Sequence, residues 1–356
     1  MNEPGQILLA YNQIRSRGES CSLVTLVHVE GSHYRKPGAR CLIDAHGKIT
    51  GSIGGGCMDN DLILHSKAVM DSRKPALVRY DSTSDEDIIF GLGIACGGVV
   101  DVLVEPMSAG SGELMMKAVG DCVNGKKTLL IGTVYESDIP EIPAATRMIR
   151  YPDGRMEIDL DHPQLKTKLF EVMTGFGKPS KPGAGEIPFD EGVCRVLWEI
   201  LTPPLNLMIM GGGNDSFPLV NYAHELGWEV TVTDHRQGFS TMERFPKAGR
   251  VITAGPEEFG EICEKDRPDA VVILTHNFPK DVEVLRQILP LNIPYVGLLG
   301  STRRRQRILD ELRKTGFEMT KEIESGFHSP AGLSIPADSP AEIALSIVAE
   351  IQQTLG

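Results

Sequence analysis

The sequence predicts an α/β protein in which a mixed α+β domain at the N-terminus is followed by a Rossmann-like domain with a doubly wound parallel sheet. Beyond residue 190, apolar segments alternate strictly with helical segments, which is typical of a parallel sheet covered by helices on both faces. Before residue 174, several strand-like segments are joined by short turns, which is typical of antiparallel hairpins. A stretch rich in glycine and proline separates the two patterns.

The first predicted domain covers residues 1–173 and contains hairpins and a short helix. Its strand segments are 22–29, 39–44, 48–53, 100–106 and 129–136, and residues 147–158 are predicted to form a hairpin. The hairpins turn at AHGK and at Pro152-Asp153-Gly154, where the turn-forming residue types are concentrated. A helix is predicted to begin near Asp59, a suitable N-cap residue. Residues 174–190 carry no apolar periodicity and are interpreted as a linker.

The second predicted domain covers residues 191–356 and repeats a strand–helix unit. The predicted strands are 205–211, 228–234, 250–255, 269–277 and 295–301. The predicted helices are 216–227, 256–266, 280–289, 302–316 and 341–355. The first of these helices is closed by Gly227, and the second starts with Pro256, which suits the first helical position.

Length and composition argue against several classes of function. The chain has 356 residues and a formal net charge of -12, so non-specific binding to nucleic acid is not expected. No apolar run is long enough for a membrane span, and the N-terminus lacks the features of a signal peptide, so we expect a cytoplasmic protein. The seven cysteines form no C-x-x-C pair, which favours reduced thiols over disulfides or a structural zinc site.

A dinucleotide-binding pattern opens the second domain. Gly211 and Gly213 lie between a strand and a helix, with Ser216 at the position of a third glycine. Asp234 ends the next strand, where an acid binds a ribose hydroxyl in such folds. The pattern predicts NAD(H) binding at this turn. The alternative is that the fold is present without any nicotinamide, because a fold alone does not fix a function.

Two further loops follow strands of the second domain, at the edge where open α/β sheets bind ligands. His276 lies in the first loop, and Ser301 and Arg303 lie at the start of a helix in the second. Arginines are unfavourable near a helix N-terminus, so an anion bound there would explain them. The alternatives are a solvent-facing histidine and a solvated run of charges.

Two glycine-rich turns of the first domain contain a cysteine, and a basic loop precedes the first of them. The candidate ligand-binding residues there are Arg35, Lys36, Gly54, Gly55, Gly56, Cys57, Cys96, Gly97 and Gly98. Glycines leave backbone N–H groups open to an anion, and a thiol at a helix N-terminus is a soft nucleophile or metal ligand. The alternative is that both cysteines are small apolar residues in tight turns. The other five cysteines lie in periodic segments and are expected to be buried.

These motifs resemble the XdhC/CoxI family, the xanthine dehydrogenase accessory factors. The resemblance covers nearly the whole chain. It rests on GSIGGGC, GLGIACGG and VLVEP in the first domain and on IMGGGN, VTVTDHR, YVGLLGSTRRRQR and HSPAGLSIPADSPAEIALSIVAEI in the second. It implies a factor that binds the molybdenum cofactor, protects it, helps its sulfuration and delivers it to a xanthine dehydrogenase-type hydroxylase. Cys57 and Cys96 would then be molybdenum ligands. A cysteine desulfurase as a second partner and a homo-oligomeric state are further expectations.

Two other functions remain open at this stage. One is an NAD(P)-dependent oxidoreductase that uses the second domain, with His276 or Cys96 as acid–base group. The other is a redox sensor in which Cys57 and Cys96 form a reversible disulfide. The chain lacks the cysteine runs of iron–sulfur proteins and is too short for the catalytic chain of a molybdenum hydroxylase, so a non-catalytic helper is favoured.

Overall fold

The computed structural model describes residues 2–81, 98–107, 112–175 and 183–356. Its chain divides into two units, an N-terminal unit over Glu3–Pro203 and a C-terminal unit over Pro204–Gly356. None of the helices described in these ranges is long and apolar enough to cross a membrane. The mixed N-terminal half and the parallel C-terminal sheet confirm the predicted fold class.

The N-terminal unit contains two five-stranded antiparallel sheets. The first sheet has the order β3-β2-β1-β5-β4, and the second has the order β8-β7-β6-β10-β9. The strands of the first are β1 (Cys21–Glu30), β2 (Arg40–Asp44), β3 (Ile49–Gly51), β4 (Ala76–Asp81) and β5 (Val99–Pro106). Those of the second are β6 (Leu129–Ser137), β7 (Arg147–Arg150), β8 (Met156–Ile158), β9 (Gly183–Phe189) and β10 (Gly192–Leu201).

Helices and buried ion pairs tie these two sheets together. The described helices of the unit are α1 (Glu3–Ser16), α2 (Asp59–Ser72), α3 (Glu113–Val123) and α4 (Pro163–Gly175). Apolar residues of both sheets share one core cluster with α1 and α3. Arg147 of β7 pairs with Glu105 of β5, and Arg40 of β2 pairs with Glu199 of β10. Each pair is buried and joins one sheet to the other.

The segment interpreted as a linker contains regular structure at both of its ends, so this prediction is wrong at residues 174–175 and 183–189, while residues 176–182 lie outside the described ranges. Helix α4 continues to Gly175, and β9 pairs with β10 from Gly183 onward. The glycines and the proline of β9 are explained by side-chain packing and by the position of the strand at the edge of the sheet. Gly185 lies against the ring of Trp198, where a Cβ would be 3.1 Å from the indole Nε1. Pro188 lies on an edge strand, which tolerates a missing N–H donor. The two units divide at 203/204, beyond the predicted boundary.

The C-terminal unit contains a six-stranded parallel sheet with the order β13-β12-β11-β14-β15-β16. Its strands are β11 (Asn206–Met210), β12 (Glu229–Asp234), β13 (Arg250–Thr253), β14 (Ala270–Ile273), β15 (Tyr295–Leu298) and β16 (Phe327–His328). This is the strand order of a Rossmann fold. The order reverses between β11 and β14, and ligands of open α/β sheets bind in the crevice at that switch point.

Six helices cover this sheet, and apolar clusters fill the space beneath them. The helices are α5 (Ser216–Glu225), α6 (Phe259–Asp266), α7 (Phe278–Ile288), α8 (Thr302–Lys314), α9 (Lys321–Gly326) and α10 (Pro340–Leu355). One cluster joins the sheet to α5 and α10. The other joins its opposite face to α6, α7 and α8. The strand ends that carry the predicted ligand residues are thereby held in place.

Candidate functional site

The glycine turn after β11 is enclosed by backbone atoms of its own unit. Gly211 has a φ of +118°, and a Cβ there would lie 2.6 Å from the carbonyl oxygen of Leu274. A Cβ on Gly212 would lie 2.1 Å from the carbonyl oxygen of Phe239. Ser216 takes the place of the third glycine, and its hydroxyl donates back to the Gly211 carbonyl. The turn therefore requires glycine for close backbone packing.

Asp234 ends β12 as predicted, but its carboxylate is fully engaged with the protein. It accepts hydrogen bonds from the Gly212 N–H at 2.8 Å and from the Arg236 N–H at 2.9 Å. The Arg236 guanidinium donates to both of its oxygens, at 2.9 and 2.8 Å. Burial raises the pKa of Asp234, but the guanidinium and the two backbone donors outweigh it and lower that pKa to about 2. Only 3% of the surface of Asp234 is exposed, and its carboxylate stabilises the glycine turn by accepting from the Gly212 N–H.

Asp215 and His276 form a pair at the switch point. The Asp215 carboxylate precedes α5, caps none of its N–H groups and accepts from His276 Nε2 at 2.5 Å. A Cβ on Gly213 would lie 2.6 Å from Asp215 Oδ1. This carboxylate therefore borders the second glycine of the pattern, where a dinucleotide pyrophosphate would approach. A negative charge at that place repels phosphate.

His276 is held in an unusual backbone conformation. Its φ is +54°, in the left-handed region, and 63% of its side chain is exposed. The neighbouring residues fix the loop, because Thr275 donates to the buried Asp281 and Asn277 Oδ1 accepts from the Lys280 N–H at 3.2 Å. Backbone strain of this kind is frequent at functional sites. The fixed loop presents the imidazole to Asp215.

Part of the arginine cluster at the start of α8 is paired with other side chains of the same unit. Ser301 is the N-cap residue, and its hydroxyl accepts from the Arg304 N–H at 3.3 Å. The Arg304 guanidinium donates to Asp281 at 2.6 Å. Arg303 is exposed, and in the part of the chain that the structure describes it has no ion-pair partner. The predicted anion site is thus reduced to Arg303 and its exposed neighbour Arg307.

A pocket of about 400 Å³ opens beside the Asp215–His276 pair. Its walls are mostly aliphatic, and its polar groups belong to four residues. The lining residues are Asn214, Asp215, Leu219, Leu274, His276, Leu299, Asp338, Pro340, Ile343, Ala344 and Ile347. No sequence pattern indicates Asp338, which precedes α10 far along the chain. This pocket, named here the α10 pocket, lies entirely within the C-terminal unit.

A larger pocket, of about 760 Å³, lies in the N-terminal unit among α1, α3, β8 and α4. Four of its six charged lining residues are paired with one another. Lys117 donates to Glu157 at 2.6 Å, and Arg15 lies 3.1 Å from Glu113. It contains none of the predicted ligand residues, so its size alone does not make it a functional site.

Cys57 is the exposed thiol among the described residues of the N-terminal unit. It follows the glycine turn directly and stands just before α2. Around Gly55 the space is open, since an added Cβ would have no neighbour within 4 Å. Met58, the next residue, is 1% exposed and anchors the turn in the core. Among the described residues, none blocks the approach of a bulky ligand to the Cys57 thiol or to the backbone of Gly55.

The other described cysteines confirm the prediction that they are buried. These are Cys21, Cys41, Cys122, Cys194 and Cys263. Burial raises the pKa of each of these thiols, to about 12 for Cys21, Cys41 and Cys263 and to about 11 for Cys122. They remain protonated and unreactive at neutral pH.

The two glycine-rich stretches approach the same loop. Cys96 and Gly97 lie outside the described residues, but Gly98 lies within them. A Cβ on Gly98 would be 2.8 Å from the carbonyl oxygen of Ser32, and one on Gly54 would be 3.8 Å from Cε1 of His33. The start of β5 and the turn before Cys57 therefore both border residues 32–33.

The basic loop beside them contains one paired and one exposed cation. Arg35 Nη2 donates to Glu3 at 2.7 Å, and the same carboxylate accepts from the Ser52 N–H at 3.1 Å. Arg35 thus holds the loop to α1. Lys36 is exposed and forms no ion pair with any residue in the described ranges. In those ranges no cluster of three or more His, Cys, Asp or Glu side chains could hold a metal ion.

Comparisons with known proteins agree with this architecture. The sequence model of the XdhC Rossmann domain matches residues 207–351, and that of the XdhC and CoxI family matches residues 14–81. The chain is 32% identical over 337 residues to a probable xanthine dehydrogenase subunit from Bacillus subtilis, covering 94% of this chain and 93% of that protein. It is 22% identical over 334 residues to the molybdenum cofactor insertion chaperone PaoD of Escherichia coli, covering 94% and 83%.

A solved structure shares the whole fold. The crystal structure of a xanthine dehydrogenase from Bacillus halodurans matches with a TM-score of 0.77 and 27% identity, covering 100% of this chain and 96% of that one. The two domain matches follow the order in which the two units occur along the chain. The chain belongs to the XdhC and CoxI family.

Proposed function

We propose that this chain is an accessory factor that carries the molybdenum cofactor as cargo, helps its sulfuration and delivers it to a xanthine dehydrogenase-type hydroxylase. One observation carries the proposal: Cys57 is an exposed thiol in an open glycine turn, whereas the other described cysteines are buried. A thiolate suits a soft metal centre, and bare N–H groups suit the phosphate of the cargo. The relative named a molybdenum cofactor insertion chaperone supports the same role.

Each residue of the turn has a part in the proposed function. Cys57 would contact the molybdenum centre, and the backbone of Gly54–Gly56 would leave room for the ligand to approach. Lys36 would supply an exposed positive charge for the phosphate. Arg35 would act indirectly, because its guanidinium is paired with Glu3 and positions the loop. Cys96 and Gly97 stay in the proposal as further candidate ligands.

The test is retention of the cargo by purified protein. Full-length chain from a host that makes the cofactor is compared with Cys57→Ser by measuring bound molybdenum and oxidised pterin. Cys194→Ser is the matched control, because Cys194 is a buried cysteine whose sulfur lies 3.2 Å from Ser137 Oγ, a hydrogen-bond partner for the new hydroxyl. We expect Cys57→Ser to lose the cargo at an unchanged melting temperature and Cys194→Ser to keep it. Equal retention by both variants would contradict the role of Cys57.

Delivery and sulfuration are tested with the partners. The loaded chain should activate an apo-hydroxylase of the xanthine dehydrogenase type, and the Cys57→Ser variant should not. A cysteine desulfurase should raise that activation when it is added with cysteine. If the desulfurase changes nothing, the sulfuration part of the proposal fails while delivery stands. Light scattering of the same samples tests the predicted homo-oligomer.

The geometry of the C-terminal unit argues against the dinucleotide alternative. Asp215 places a negative charge beside the second glycine, and Asp234 is occupied by Arg236 and Gly212. A ribose would have to displace these hydrogen bonds, and a pyrophosphate would meet a carboxylate. We therefore expect neither NADH nor NADPH to raise the melting temperature. A clear shift with either would revive the oxidoreductase alternative.

A further inference from the structure

The α10 pocket joins an apolar slot to a polar edge. Its walls come from α5, α10 and strand ends, and they include Leu219, Leu274 and Ile343. Its volume of about 400 Å³ lies in the range of small-molecule sites. Helix α10 and the end of β14 are far apart in sequence, yet both face the switch point where Rossmann folds bind ligands. The slot therefore lies at the switch point, where Rossmann folds bind ligands.

The charges of the pocket select against anions. Asp215 and Asp338 contribute carboxylates, and no lysine or arginine is among its described lining residues. Asp215 Oδ2 accepts from His276, while no donor in the described ranges reaches Oδ1. A phosphate would be repelled, and a full positive charge would lose its hydration against aliphatic walls. A neutral ligand with N–H donors fits both conditions.

The neighbouring amide adds the opposite polarity to the edge. Asn214 Oδ1 accepts from Arg244 Nη2 at 2.7 Å, which orients the amide and leaves its NH₂ group to donate. The edge of the pocket thus presents a carboxylate acceptor next to an amide donor. The complementary ligand edge has two adjacent N–H donors followed by a carbonyl acceptor.

We infer that the α10 pocket binds a planar fused heterocycle with a 2-amino-4-oxo-pyrimidine edge, the edge that guanine and pterin share. Asp215 accepts from the ring N–H and the exocyclic amine, Asn214 donates to the oxo group, and the aliphatic walls cover the ring faces. The choice of pterin as one source rests on the proposed function, because the cargo contains a pterin. The pocket and its edge preference do not depend on that function.

Binding of free heterocycles to the full-length chain tests the inference. Guanosine, biopterin and inosine are titrated by calorimetry, since inosine lacks only the exocyclic amine of guanosine. We expect guanosine or biopterin to bind about tenfold or more tightly than inosine, because a hydrogen bond to a charged group contributes that much to affinity. Asp215→Asn should remove the preference. Asp310→Asn, a surface change on α8, should keep it.

Further variants separate binding from folding and from cargo retention. Thr354→Ala, at an exposed position of α10 outside the pocket lining, should still bind. Cys57→Ser should bind the free heterocycles normally even where it loses the molybdenum cargo. A preference for biopterin identifies a pterin as the source, and a preference for guanosine identifies a nucleoside; either supports the site. Equal binding of guanosine and inosine, or full binding by Asp215→Asn, would overturn it.

Discussion

Asp234 shows how a residue can be placed correctly by a pattern and still have another partner. The sequence predicts an acid at the end of β12, and the structure has it there. Its oxygens accept from the Arg236 side chain and from Gly212. Although Arg236 follows only two residues later, the sequence does not reveal that its guanidinium pairs with the Asp234 carboxylate. Spacing predicts position, but the hydrogen-bond partner depends on side-chain geometry.

The lowered pKa of Asp234 predicts a pH-dependent contribution to stability. A carboxyl whose pKa falls from 3.8 to about 2 on folding stabilises the folded state above the unfolded value. That contribution is lost as the pH falls from about 4 toward 2. We expect Asp234→Asn to lower the free energy of unfolding at pH 7 by about 2 kcal/mol. Urea denaturation at pH 7, 4 and 3 measures it.

The control for this series is Asp310→Asn, at an exposed position on α8. Its unfolding free energy should stay near that of the unmodified chain at each pH. A difference between Asp234→Asn and the unmodified chain that stays constant from pH 7 to pH 3 would contradict the linkage.

Removing the negative charge from the buried Arg147–Glu105 pair is expected to lower the stability of the chain strongly. Both side chains are 0% exposed, and Arg147 Nη1 donates to Glu105 Oε2 at 2.7 Å. Glu105→Gln leaves a buried guanidinium without its counter-charge. We expect a loss of about 3–5 kcal/mol in the free energy of unfolding, measured by urea denaturation. Glu136→Gln, in the exposed pair with Arg195, should change little; equal losses in the two variants would refute the assignment.

At the scale of elements, the parallel sheet is predictable from sequence and parts of the N-terminal unit are not. The strands β11, β12, β14 and β15 are apolar runs next to predicted helices, so two signals agree for each. The partly exposed edge strand β13 follows β12 without an α-helix between them. Helix α1 escapes prediction although Ile7, Tyr11 and Ile14 lie on its buried face at helical spacing, because polar residues interrupt the run. Strand β9 escapes it because its glycines and proline indicate a loop, and only pairing with β10 explains them.

Helix α10 depends on its N-terminal cap. Ser339 Oγ accepts from the Glu342 N–H at 3.3 Å, and the Glu342 carboxylate accepts from the Ser339 N–H at 2.8 Å. Ser339→Ala removes half of this capping box, so we expect a loss of about 1 kcal/mol in stability. Thermal unfolding measures it. Thr354→Ala near the other end of the helix is the control, and a larger effect there would argue against the cap.

At the scale of the molecule, the candidate site is predictable only in part. The sequence indicates Cys57, Gly211 and His276, because each stands next to a glycine turn or a strand end. It does not indicate that His276 pairs with Asp215, since the two are 61 residues apart and meet only when β11 and β14 pair. Nor does it indicate the α10 pocket, which needs a helix from the end of the chain. Both features depend on contacts between residues far apart in the sequence, which local sequence patterns do not predict.

The cysteines report on the folding of both units in one experiment. Cys57 is exposed and should react at once with a thiol reagent, whereas Cys122 and Cys263 should react only after unfolding. Burial raises the pKa of both protected thiols, to about 11 and about 12. Cys122 packs in a core of N-terminal residues only, and Cys263 in a core of C-terminal residues only. Each thiol therefore measures the stability of its own unit.

Pulsed labelling in increasing urea, with mass spectrometry of each peptide, follows the two thiols separately. We expect Ser339→Ala to lower the urea midpoint at Cys263 and to leave that at Cys122 unchanged, because α10 belongs to the C-terminal core. Glu105→Gln should do the reverse, since its partner Arg147 lies in the N-terminal unit. If either variant shifts both midpoints equally, the units unfold as one cooperative body, and the assignment of separate stabilities to the two cores is wrong.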